Sequence, residues 1–167
     1  MKVVARKSWK IKEKFEEYFL VGTLFFNVVI IFLQVVMRYC FSNSLTWTEE
    51  LARYVFIWQA WIGASYGVKK MGHIRVEVLA EKFKGKNRIL FDILIYAIWL
   101  VFMCFLAYTG TQLTLYVAST GQLSPANQIP MEYVDVSVVV GSALMIWHLL
   151  KNIASMIKQY KKYELEV

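Results

Sequence analysis

The chain has 167 residues, of which 58% are hydrophobic, 16% aromatic and only 19% charged, with a formal net charge of +7. A water-soluble domain is roughly 45–50% apolar and about 25% charged, so this composition excludes an ordinary soluble fold, a disordered chain and a collagen-like repeat. Cys40 and Cys104 are far apart and match neither a CxxC nor a zinc-ligand spacing, which removes a disulfide scaffold and leaves packed thiols.

Residues 1–17 carry six basic side chains, Lys2, Arg6, Lys7, Lys10, Lys12 and Lys14. Trp9, Ile11, Phe15 and Tyr18 are interleaved with them, the pattern of a helix lying on a membrane surface. An uncharged stretch follows at 18–37. It is too long for the apolar core of a secretory signal, and no small-x-small cleavage site follows it, so it reads as a membrane span. A second span is expected at 51–68, with Arg53 near its start.

The basic segment 69–88 holds Lys69, Lys70, Arg75, Lys82, Lys84, Lys86 and Arg88. Within it Val76, Leu79, Ala80 and Phe83 fall at i, i+3, i+4 and i+7, predicting an amphipathic interfacial helix over 74–84. A third apolar run, 89–117, is roughly 43 Å long if helical, so it must tilt or project beyond the hydrocarbon. Both prolines, Pro125 and Pro130, lie in the next loop, a fourth span is expected at 133–150, and the tail 151–167 adds four lysines.

Continuous apolar runs without two-residue alternation exclude a β-barrel, so the fold class is an all-α integral membrane protein with four transmembrane helices in one domain. Basic residues concentrate in 1–17, 69–88 and 151–167, whereas the first loop has only Arg38 and the third has none. Cytoplasmic segments carry the basic excess, so both termini are expected in the cytoplasm. Attraction to anionic membrane lipids accounts for the net charge, and no nucleic-acid partner is expected.

Transporter substrate sites favour helices broken by Gly or Pro and arranged in two related halves. None of these spans is interrupted and no internal repeat is present, so the chain alone is a poor pore. No nucleophile elbow, phosphate-binding glycine loop or catalytic carboxylate pair occurs, and no enzyme activity, metal or other cofactor is expected. Haem between His73 and His148, both near the cytoplasmic side, is the one cofactor arrangement the histidines allow. It belongs to an alternative reading as membrane anchor of an electron-transfer complex. A stand-alone four-helix carrier is the other alternative.

The segment 38–79 is the most specific. Thr46 or Thr48 can cap the second helix, with Glu49 and Glu50 at its positive end. Arg53 stands at i+4 from Glu49 and i+3 from Glu50, so a carboxylate can offset the cost of an arginine near lipid. Ala60, Gly63, Ala64 and Gly67 include a G-x-x-x-G that permits close helix approach.

The run Arg38-Tyr39-Cys40-Phe41-Ser42-Asn43-Ser44-Leu45-Thr46-Trp47-Thr48-Glu49-Glu50-Leu51-Ala52-Arg53, an aromatic-rich helix ending at Gly63-Ala64, and then His73-Ile74-Arg75-Val76-Glu77 closely resemble the DctQ-like small membrane subunit of tripartite ATP-independent periplasmic (TRAP) transporters. Glu77 stands where that family often has Asp, Val139 precedes Gly141 where many relatives have a proline, and Glu132 replaces a residue that is more often apolar or aromatic. The resemblance implies a non-catalytic scaffold in the bacterial inner membrane, packed against a large M component. The system would drive sodium-coupled uptake of a small organic acid, such as a C4-dicarboxylate or sialic acid, delivered by a periplasmic P protein. It also implies Arg38, Trp47, Glu49, Glu50, Arg53, Gly63 and Gly67 as subunit-interface or capping residues. Ser44, Ser124 and Asn127 would be contacts for the periplasmic protein.

Overall fold

The computed structural model describes residues 2–70 and 86–165, with side chains at 16–70 and 87–161. Four helices make up the described chain: α1 (Lys2–Cys40), α2 (Thr46–Lys70), α3 (Lys86–Thr120) and α4 (Glu132–Leu165). The amphipathic segment expected at 74–84 lies outside the described residues. The N-terminal basic stretch is not a separate helix but the first turns of α1, and α3 and α4 extend past both ends of their expected spans.

Three stretches are long and apolar enough to cross a membrane: Glu16–Cys40, Asn87–Thr120 and Glu132–Lys161. α2 falls short of that measure because Arg53, Tyr54, Gln59, Ser65 and Tyr66 interrupt its apolar residues. Its neighbours explain this composition. Among the described residues α1 packs against α2 alone, α2 against both α1 and α4, and α3 against α4 alone. The order in space is therefore α1, α2, α4, α3, a single row of helices.

Three stripes of α2 follow from this position. Trp47, Glu50, Tyr54 and Trp58 meet the α3–α4 loop and the start of α4. Gln59, Gly63, Tyr66 and Lys69 meet α1 through Asn27, Leu20, Glu17 and Glu16. Glu49, Arg53, Phe56, Ala60 and Ala64 remain exposed. Contacts of Trp61 with Gly141 and of Asn152 with Val68 show that α2 and α4 run in the same direction.

The core lies in the half of the row away from the α1–α2 loop, where Val68, Tyr96, Met103, Met145, Leu149 and Met156 pack together with Trp61 and Trp99. Several hydroxyls in the apolar helices are satisfied locally: Thr23, Thr109, Thr111 and Ser142 each donate to the carbonyl four residues back, whereas the buried hydroxyls of Ser65 and Ser137 have no hydrogen-bond partner among the described residues. Such back-bonding keeps a hydroxyl paired where no water can reach it.

Candidate assembly site at the head of the second helix

The residues of the sequence motif surround a loop. α3 ends at Gly121, whose left-handed φ of 60° turns the chain at little cost because glycine has no Cβ. A short hairpin then forms. The Ser124 N–H donates to Ile129 O at 2.9 Å, the Ile129 N–H donates back to the Ser124 side-chain Oγ at 3.0 Å, and the Gln128 N–H reaches Ser124 O at 3.1 Å. Gln128 closes the turn with a φ of 52°.

Glu50 fastens this hairpin to α2. Its Oε2 accepts the backbone N–H of Ala126 at 3.0 Å and of Asn127 at 2.7 Å, together with Asn127 Nδ2 at 3.1 Å. Its Oε1 accepts the Tyr54 hydroxyl. Asn127 Nδ2 also donates to Trp47 O at 3.0 Å, and Trp58 Nε1 donates to Tyr133 O at 3.1 Å. Glu50 stands one residue ahead of the 51–68 stretch. Desolvation pushes its carboxyl up, but the hydrogen bonds from Tyr54, the loop amides and Ser124 outweigh it and hold the group below the usual value of 4.5.

The sequence-predicted site residues therefore separate into two groups. Glu50 and Trp47 bind the hairpin. Glu49 faces away and pairs with Arg53 at 3.6 Å, both side chains exposed. Gln34 of α1 donates to the same Glu49 carboxylate at 3.1 Å. The Glu50–Arg53 alternative is not formed, because the Glu50 carboxylate is taken up by the Tyr54 hydroxyl and the loop amides of Ala126 and Asn127. Thr48 is not an accepting cap: it is fully buried and its hydroxyl donates to Leu45 O at 2.6 Å.

Ser124 is only 2% exposed and is turned into the hairpin rather than outward, and Asn127 is spent on α2. Ser44 is exposed, as is Arg38, whose guanidinium lies 5.9 Å from the Tyr39 ring centroid. The G-x-x-x-G does not mark the tightest helix approach. A Cβ on Gly63 would meet Leu20 at an ordinary 3.6 Å, and one on Gly67 would meet nothing within 4 Å. Gly141, outside that motif, is the close contact: a Cβ there would lie 2.7 Å from the Trp61 Cβ.

Among the described residues no group of three or more His, Cys, Asp or Glu side chains could hold a metal ion. His148 is buried in α4, and His73 lies outside the described residues.

Residues 27–159 match the family model for the DctQ component of tripartite ATP-independent periplasmic transporters. The chain belongs to this family. Among DctQ relatives it is 30% identical over 108 residues to the C4-dicarboxylate TRAP transporter small permease protein of Rhodobacter capsulatus, covering 65% of this chain and 48% of that protein. A putative TRAP transporter small permease of Haemophilus influenzae is 29% identical over 129 residues, covering 75% and 79% of the two chains. The sialic acid TRAP transporter permease protein of the same species is 25% identical over 151 residues, which is 90% of this chain but 24% of that longer protein. The chain thus spans about half of one relative, most of another and a quarter of the third. A DctQ component is a transporter subunit and not an enzyme.

Proposed function

We propose that this chain is the stationary small subunit of a TRAP-type secondary transporter. It packs against the scaffold of a larger membrane component during sodium-coupled uptake of a small organic acid, of the C4-dicarboxylate or sialic acid class, delivered by a periplasmic binding protein. The observation that carries this reading is the match of 90% of the chain to a quarter of a single longer permease: the same unit is there joined to further permease sequence. The unbroken helices support a fixed role, since substrate sites in secondary transporters favour interrupted ones.

In this reading α2 is the fourth span, both termini are cytoplasmic, and the Glu50-anchored hairpin faces the periplasm of a bacterial inner membrane. Ser44 and the hairpin rim at Leu123, Pro125 and Gln128 are then offered to the binding protein, with Ser124 and Asn127 holding the rim in place.

Affinity purification of the tagged chain from its native membranes tests the assembly. A polytopic partner without ATP-binding motifs should copurify in stoichiometric amount, and vesicles holding both should take up the acid only with the binding protein and a sodium gradient. Recovery of the chain alone, or uptake unchanged by its deletion, overturns the reading. The native cysteines, exposed on this chain rather than packed as expected, report orientation: a membrane-impermeant maleimide applied from the periplasmic side should modify Cys40 and leave Cys104, which lies within α3.

A further inference from the structure

A groove of about 500 Å³ runs between α1 and α2 on the exposed side of the row. Its lining combines apolar walls such as Val28, Ile31 and Phe56 with polar groups set at different depths. Asn27, near the middle of the α1 span, is 4% exposed; its Nδ2 makes only a long 3.4 Å bond to Gln59 Oε1, and its Oδ1 has no hydrogen-bond partner. At the loop end Glu49 is shared between Arg53 and Gln34. Arg38 lies at the same end, with no carboxylate within ion-pair distance among the described residues.

Lipid acyl chains fit the apolar walls and fail the rest. An amide at mid-depth in hydrocarbon needs a hydrogen-bonding neighbour, and an acyl chain has none to give. A phospholipid phosphate could meet Arg38 but not the Asn27–Gln59 pair below it. A second helix can supply both groups at once, along the length of the groove.

Resting on the subunit reading above, we propose that the α1–α2 groove is the seat of a transmembrane helix of the larger permease component, which brings a hydrogen-bonding side chain to the depth of Asn27 and Gln59 and a carboxylate opposite Arg38. Ala60 and Ala64, exposed on the same face of α2, let that helix approach closely. The outer face of α3, with Leu94, Val101 and Phe105, is left to lipid.

Photo-crosslinking in the assembled complex tests this, with a benzophenone side chain placed at Val28, Ile31 or Phe56 in the groove and at Leu94 or Phe105 on α3. Copurification of the large component is scored first, so that failure of the assembly itself is seen separately. Groove positions should then yield adducts with the large component, and α3 positions should not. Lipid adducts from the groove, or protein adducts from α3 alone, overturn the proposal. Asn27→Leu and Arg38→Gln should each lower the fraction of large component retained in mild detergent by about threefold, as expected for one intramembrane hydrogen bond. The isolated chain should keep its melting temperature. Loss of melting temperature in both variants with unchanged retention would instead make these residues internal supports.

Discussion

Two adjacent carboxylates on α2 perform different work because the helix turns about 100° between them. Both were legible as helix-start residues, but which one Arg53 would take was not, since i+3 and i+4 both allow a pair. The loop decides: the amides of Ala126 and Asn127 lie 76 and 77 residues along the chain and need an acceptor, and no local pattern reports that. Glu50→Ala should free those amides and raise their hydrogen exchange about tenfold or more, as for a charged acceptor removed from paired donors. Glu50→Gln should act more weakly, since its amide oxygen can still face the loop while its Nε2 donates to Tyr54. Because the folded carboxyl is held below 4.5, its anchoring is fully present above that pH and is lost as pH falls through the lowered value. Exchange at Asn127, corrected for intrinsic rate, should thus be flat from pH 7 to 5 and rise toward pH 3.

At the scale of helices, apolar run length located α1, α3 and α4 to within a few residues at their loop-facing ends. α2 was harder to read, since it is polar enough to fail as a span by composition and is instead a helix with protein on two sides. The small-residue pattern misled for a related reason: it marks where backbones could approach, whereas the approach itself depends on what stands opposite. Trp61 packs directly against Gly141, and its Cβ is fixed to the backbone and cannot swing away. Gly141→Ala should therefore cost about 1–3 kcal/mol through overpacking, read as thermal unfolding of the chain in nanodiscs. Gly67→Ala, with open space around it, should be neutral or should gain up to about 1 kcal/mol from helix propensity. Equal effects at the two positions would contradict the packing described.

The arrangement of the whole molecule was not legible. Four consecutive helices suggest a closed bundle, and periodicity cannot tell a bundle from a row when lipid or a partner can cover any face. In the row, α1 and α3 are the two ends. With neighbouring helix axes 8–10 Å apart, three steps put them about 24–30 Å from each other, against roughly 10–15 Å in a closed bundle. Spin labels at Val29 of α1 and Phe102 of α3, with the native cysteines replaced, distinguish the two by electron–electron distance measurement. A short distance would mean that the row folds up in the bilayer.

A single row also has an outcome for the life of the polypeptide in the cell. Only 11% of the apolar stretch of α1 is buried within the chain, so each newly made copy enters the bilayer with its end helix held on one side and the Arg38 guanidinium exposed. Such a copy is expected to be marginally stable and a target for the proteases that clear unassembled membrane proteins. In pulse-chase labelling, the half-life of this chain should lengthen several-fold when the large component proposed above is co-expressed, so that degradation rather than synthesis sets the ratio of the two.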